Sequence, residues 1–181
     1  KYILAILLGS AMVSTAFAQQ PTFTEWHDLK VNDINRFTPH TNFFAFESEQ
    51  KALQNQKQQS ANYLSLEGNW KFNWVKDANQ RPTNFFSPSF DDAAWGNMVV
   101  PGCWELNGYG EPIYLNVGFP WRGHFKDNPP EVPEVNNHVG SYRRTITLPA
   151  DWNGRQVIAH FGSVTSNMYL WVNGSFVGYT E

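Results

Sequence analysis

Apolar and polar side chains alternate with a two-residue period in several short runs, and no long run has a helical period. Asn69–Val75 puts Trp70, Phe72 and Trp74 on one side and predicts a strand with an inward aromatic face. Met98-Val99-Val100 predicts a short strand stopped by Pro101. In Tyr142–Leu148, Tyr142, Ile146 and Leu148 face one way while Arg143, Thr145 and Thr147 face the other. Gln156–Phe161 and Asn167–Val172 read as further strands. Ser175–Tyr179 follows Asn173-Gly174, a pair that tolerates the positive φ of a tight hairpin turn. Asn173-Gly174-Ser175 also matches a glycosylation sequon, but the hairpin accounts for it better. Turn signals at Ser65–Gly68 and Pro149–Gly154 separate these runs, and Asp91–Trp95 could form a single helical turn. Short strands with frequent turns predict an all-β domain: a β-sandwich of jelly-roll, galactose-binding-like type.

One stretch departs from this simple pattern. Glu111–Trp121, EPIYLNVGFPW, is too short and too rich in β-branched and aromatic residues for a helix. Alternation sets Ile113, Leu115, Val117 and Phe119 against a core and leaves Tyr114, Asn116 and Gly118 on the other side. A phenol, an amide and bare backbone could hydrogen-bond and stack on a flat polar ligand. The residues alone leave two readings open: an edge segment packed on its own domain, or part of a ligand site. Arg122–His138 follows as a long loop interrupted by Pro129, Pro130 and Pro133, and loops of that length are often functional.

The chain divides into three parts. Residues 1–18 carry Lys1, an apolar run and Ala16-Phe17-Ala18, the pattern of a secretory signal cut before Gln19. Residues 19–62 form an extended arm and linker, irregular to Ser48 with isolated aromatic anchors, then polar from Glu49 to Ser60 as a short helix or solvated linker. Residues 63–181 are the sandwich, expected to be incomplete at its C-terminus because Glu181 directly follows a strand. Lys1 in place of Met suggests a missing start as well.

Composition narrows the function classes. Aromatic residues make up 16% of the 181 residues, enough to invite a sugar-stacking reading in an exported β-domain. Trp70, Trp74 and Trp171 fall in strand patterns and read as core, whereas Trp104 and Trp121 lie in loops beside the 111–121 stretch and are the better stacking candidates. The net charge of −3 gives no electrostatic support to a nucleic-acid or anionic-membrane partner. A single cysteine, Cys103, excludes an internal disulfide and reads as an inert thiol. His27, His40, His124, His138 and His160 have no metal-ligand spacing. Glycoside hydrolysis needs two carboxyl groups, and Asp91, Asp92, Glu105, Glu111, Glu131 and Glu134 are present without a pattern that selects a pair. Glu105 and Glu111 flank the stretch and are the better placed to meet a ligand. Asn107-Gly108-Tyr109-Gly110 lacks the helix and Lys-Ser/Thr of a phosphate loop, and no nucleophile elbow occurs.

Several strings in order resemble the amino-terminal sugar-binding domain of glycoside hydrolase family 2, and within it the large bacterial β-galactosidases. They are Glu25-Trp26 with Ile34-Asn35-Arg36 and Pro39-His40; Ser65–Phe72; Val100-Pro101 with Trp104; Gly108-Tyr109 leading into Pro112–Val117 and Pro120; Asn128-Pro129-Pro130 with Val132-Pro133; Gly140-Ser141-Tyr142; and Leu170–Gly174 with Val177-Gly178-Tyr179. The resemblance covers nearly all of the chain after the signal. The Asn-Pro-Pro loop and the Asn-Arg arm favour the β-galactosidase branch over β-glucuronidase and β-mannosidase relatives. A non-catalytic carbohydrate-binding module is the other alternative.

The resemblance implies a retaining exo-β-galactosidase acting on terminal β-D-galactosides, with its catalytic glutamates on a (β/α)₈ barrel beyond Glu181 and none in this chain. It implies that Asn116 contacts the galactosyl group, with Val117, Trp104 and Trp121 beside it as weaker substrate-binding candidates. Mg²⁺, and Na⁺ with it, belong to the full-length enzyme, whose metal ligands also fall after Glu181. The arm before Ser48 resembles the segment that supports homo-oligomer assembly. The export signal departs from the best-known relatives and implies periplasmic or extracellular work, with no membrane or nucleic-acid partner. Loop Gly118–Asp127 carries extra residues relative to the family pattern.

Overall fold

The computed structural model describes residues 20–114, 116, 118, 121 and 131–181. The signal-like residues 1–18, and Leu115, Val117, Phe119, Pro120 and 122–130 within the loops, lie outside the described residues.

The expected all-β sandwich is what the chain forms, as two open antiparallel sheets. Strand β1 is Asp33–Ile34, helix α1 is Glu49–Gln54, β2 is Gly68–Val75, β3 is Gly96–Val100, β4 is Val139–Arg143, β5 is Met168–Val172 and β6 is Ser175–Thr180. One sheet has the order β3-β2-β4 and the other β1-β6-β5. In the first, Trp70 lies opposite Met98, and Phe72 lies between Gly96 and Tyr142. Phe72 and Met98 are each 1% exposed and form the centre of its core. In the second, Asn173 (φ 50°) and Gly174 (φ 83°) supply the paired positive angles that the β5–β6 hairpin requires.

Each sheet presents aromatic side chains that water would penalise, and non-strand segments cover them. Tyr169 and Trp171 of β5 stack together at 5.9 Å. Phe23 of the arm stacks on Trp171 at 5.9 Å, and Phe86 stacks on it at 5.0 Å with an interplanar angle of 8°. Phe85 meets Trp171 of β5 and, within its own 77–95 loop, Trp95. Arg143 of β4 clamps the same loop. Its guanidinium donates to the Phe90 carbonyl at 2.9 Å, lies over the Phe90 ring and pairs with Asp92 at 3.3 Å.

The arm is fastened by one buried carboxylate. Glu25 is 4% exposed and accepts from Thr22 N at 2.7 Å, Thr22 Oγ1 at 2.9 Å and the Tyr169 hydroxyl at 2.9 Å. Burial alone would raise its pKa, but the Thr22 and Tyr169 hydrogen bonds outweigh it and hold the carboxyl below the ordinary range. Burial and the Glu25 bond push the Tyr169 phenol up, so it stays a donor. Downstream, Asp33 and Ile34 pair with Thr180 and Tyr179, while Asn35 Nδ2 donates to the Val177 carbonyl at 2.7 Å. The polar linker contains the short helix α1, capped at its N-terminus by Ser48 and ended by Asn55 in the left-handed region.

Three sequence expectations change. The strand expected over Tyr142–Leu148 ends at Arg143. Arg144 turns aside, donates to the Glu67 carbonyl at 2.8 Å and lies over the Trp70 ring. Gln156–Phe161 joins neither sheet, because its alternation finds no partner strand among the described residues. Asp91–Trp95 is a turn rather than a helix: Asp91 Oδ1 accepts from Ala93 N at 2.9 Å, a local bond that competes with helical pairing.

Because the folded-state pKa of Glu25 lies below its unfolded value, its contribution is complete above the ordinary carboxylate pKa and is lost as pH falls through the depressed one. Glu25→Gln is therefore expected to lower stability at pH 7 by about 1.5–3 kcal/mol, the scale of hydrogen bonds to a charged group. The gap to wild type should close toward pH 3, as measured by urea unfolding across that range; a pH-independent gap would contradict the assignment.

Candidate functional site

The 111–121 stretch departs from a docked loop. Trp104 sits half-buried on the β3-β2-β4 sheet, its Nε1 donating to the Tyr142 hydroxyl and its ring 6.1 Å from Phe72. Gly140 of β4 makes the approach possible, since a Cβ there would lie 2.6 Å from Trp104 Cζ2 and 2.7 Å from Phe72 Cε2. Tyr109 meets Phe72 edge-on at 4.8 Å. Burial raises the Tyr142 pKa, with the Trp104 hydrogen bond opposing, so the phenol stays neutral and serves as an acceptor in the packing. At Gly110 (φ +73°) the chain passes His138 and Trp74, both close to where a Cβ would stand.

The far end of the stretch is held as well. Trp121 Nε1 donates to the Asn136 carbonyl at 2.9 Å. Asn136 N donates to Asp77 Oδ1 at 2.6 Å, and Ala78 N donates to the Glu134 carbonyl at 2.8 Å. His138 packs edge-on against Trp74 at 4.9 Å, and its Nε2 lies 3.3 Å from Asn136 Oδ1. Residues 110 and 121 are thus tied to one patch built from Trp74, Asn136 and His138. Sequence reading did not single out Asn136 or His138. Their one signal is Asn-Asn-His closing a proline-rich loop just before β4.

Between those ties the expected strand does not form over the described residues. Ile113 is 55% exposed rather than packed inward, and Asn116 and Gly118 are exposed at bends. Pro112 removes a ladder donor, Gly118 takes φ +102°, and β2 already has a neighbour on each side. Asn116 is displayed to solvent. Trp104 and Trp121 have their N–H groups committed within the chain and are half-buried, while Val117 lies outside the described residues. Among the other candidates, Asp91 and Asp92 are engaged in the turn and with Arg143, and Glu105 and Glu111 are exposed. Among the described residues no group of three or more His, Cys, Asp or Glu could hold a metal ion.

Fold and loop together define a β-sandwich domain that displays an amide and a phenol on a surface segment tied at both ends. Residues 63–181 match the model for glycosyl hydrolases family 2, sugar binding domain. The chain belongs to that family. It is 37% identical over 160 residues to a β-galactosidase of Priestia megaterium, covering 88% of this chain and 16% of that protein. It is 38% identical over 157 residues to a β-galactosidase of Psychromonas ingrahamii, covering 87% of this chain and 14% of that protein. With a β-galactosidase of Photobacterium profundum the identity is 43% over 118 residues, 65% of this chain and 11% of that protein. The chain spans about a sixth of the length of the first of these relatives.

If the Trp104–Gly140 contact seats the loop, Gly140→Ala forces overpacking and is expected to cost about 1–3 kcal/mol in urea unfolding. An unchanged midpoint would show that the indole has room to move.

Proposed function

We propose that this chain is the amino-terminal part of an exported β-galactosidase that hydrolyses terminal β-D-galactosides with retention. The observation that carries this reading is the exposed Asn116 in its Pro-Ile-Tyr-x-Asn setting, on a family 2 sugar-binding domain whose relatives are named β-galactosidases. In a retaining mechanism one glutamate attacks the anomeric carbon, a second protonates the leaving oxygen, and water then hydrolyses the glycosyl-enzyme. Those glutamates, together with the Mg²⁺ and Na⁺ sites, belong to the rest of the protein. The part assigned to this chain is binding: Asn116 offers an amide oxygen and N–H₂ to the hydroxyls of the galactosyl ring, holding the anomeric carbon in line for attack.

The fragment alone is expected to be inactive. The residues 1–18 pattern supports export, and the arm supports assembly as a homo-oligomer. A β-glucuronidase-type or β-mannosidase-type specificity is the alternative within the same family, and a free-standing carbohydrate-binding module the alternative outside catalysis.

The full-length protein is expected to hydrolyse nitrophenyl β-galactoside, and Asn116→Ala to lose about 1–3 kcal/mol of binding or transition-state stabilisation. Turnover of a β-glucuronide in place of the galactoside would reject the substrate assignment. Unchanged kinetics in Asn116→Ala would reject the role of the amide.

A further inference from the structure

The 110–121 segment leaves the domain and returns to it at one place. Gly110 (φ +73°) passes Trp74 and His138, where a Cβ would lie 3.5 Å from Trp74 Cζ2 and 3.4 Å from His138 Nδ1. Trp121 returns beside them: its Nε1 donates to the Asn136 carbonyl at 2.9 Å, and Asn136 Oδ1 stands 3.3 Å from His138 Nε2. A surface loop whose two ends meet in this way is an Ω-loop, and Asn136 with His138 forms its neck. Asn136 is half-buried at φ 55°, a left-handed angle that Asn tolerates better than most side chains. Its N–H donates to Asp77 Oδ1 at 2.6 Å, its carbonyl accepts from Trp121, and its amide oxygen meets His138. The Asn137 amide braces the same turn by donating to the Pro133 carbonyl at 2.9 Å. The backbone groups and amide oxygen of Asn136 are committed to this junction, so it holds chain rather than ligand. Asn116 stands between the two ties, exposed. A loop held at its neck has fewer conformations than one held at a single end, and less order is lost when it binds.

Resting on the proposed function, we propose that Asn136 is a positioning residue for the sugar site: by clasping Trp121 it closes the neck of the loop and restricts where the Asn116 amide can stand. It acts through Trp121 and touches no substrate itself. A galactoside then meets an amide already confined near its bound position. The confinement serves the ground and transition states alike, so its loss raises KM and leaves kcat near its wild-type value. The clasp depends on the backbone carbonyl and the positive φ of residue 136. Gly there keeps both, whereas Ala must be forced into the left-handed region.

Trp121→Phe in the full-length protein keeps an aromatic ring and removes the N–H that the Asn136 carbonyl receives. With nitrophenyl β-galactoside it is expected to raise KM about fivefold with kcat within about twofold. Asn136→Ala should do the same, and Asn136→Gly should recover most of that loss. The double variant Trp121→Phe with Asn116→Ala should have the KM of Asn116→Ala alone, because no amide remains to be positioned. Limited proteolysis reads the neck without turnover: cleavage within 112–120 should be faster in Trp121→Phe and Asn136→Ala than in wild type. An unchanged KM in Trp121→Phe, full additivity with Asn116→Ala, or a fall in kcat and Tm without a rise in KM would overturn the clasp while leaving the β-galactosidase reading intact. Unchanged kinetics in Asn116→Ala, or a full-length protein that does not hydrolyse the galactoside, would instead reject the reading on which the clasp rests.

Discussion

The seating of Trp104 over Gly140 governs what this domain can present. A side chain at residue 140 would stand within 3 Å of both Trp104 and Phe72, so the indole lies flush on the sheet only because β4 has a glycine there. With the indole in place, its N–H reaches the Tyr142 hydroxyl, Tyr109 closes edge-on over Phe72, and Gly110 passes beside Trp74 and His138. Trp104, Tyr109 and Tyr142 all meet the Phe72 ring, so these contacts are coupled through it. The 111–121 segment starts from that fixed point, so a packing constraint in the core sets where Asn116 and Tyr114 meet solvent.

Covering segments solve the same problem on the other sheet. Phe23 and Glu25 come from the arm, and Phe85 and Phe86 come from the 77–95 loop. All four converge on Tyr169 and Trp171. Arg143 holds that loop against β4, and Asp77 at its start receives Asn136 N, the residue that receives Trp121. One loop therefore contacts both sheets and the far tie of the exposed segment. The arm extends the sheet itself through β1, so its removal would uncover aromatic surface and leave β6 without a neighbour on that side.

Much of this was legible in the chain because it depends on local pattern. The Trp70-Phe72-Trp74 alternation, the stop at Pro101 and the Asn173-Gly174 turn all report nearest-neighbour chemistry, and the structure follows them. The arm was legible as anchors without period, though not which surface they would meet. What pattern could not supply was partners. Gln156–Phe161 alternates well but needs a strand beside it, and Arg144 leaves the ladder to bond the Glu67 carbonyl and lie over Trp70. Trp104 has no periodic context, so a loop residue that packs and one that binds look the same until Gly140 is seen beneath it. Alternation sets Tyr114 away from the core, where it is exposed, but it also sets Ile113 inward, and Ile113 is exposed because no strand forms there over the described residues. Asn116 was named through resemblance, and the fold adds that it faces solvent on a segment tied at both ends.

The central claim is that a packed core presents Asn116 to a galactosyl ring on the surface. The most direct measurement is a crystal structure of the full-length protein with galactose bound. The Asn116 amide is expected within hydrogen-bond distance, about 2.7–3.2 Å, of a sugar hydroxyl, with Trp104 unmoved on Gly140. Galactose bound with Asn116 turned away, or held only through Trp104, would contradict it.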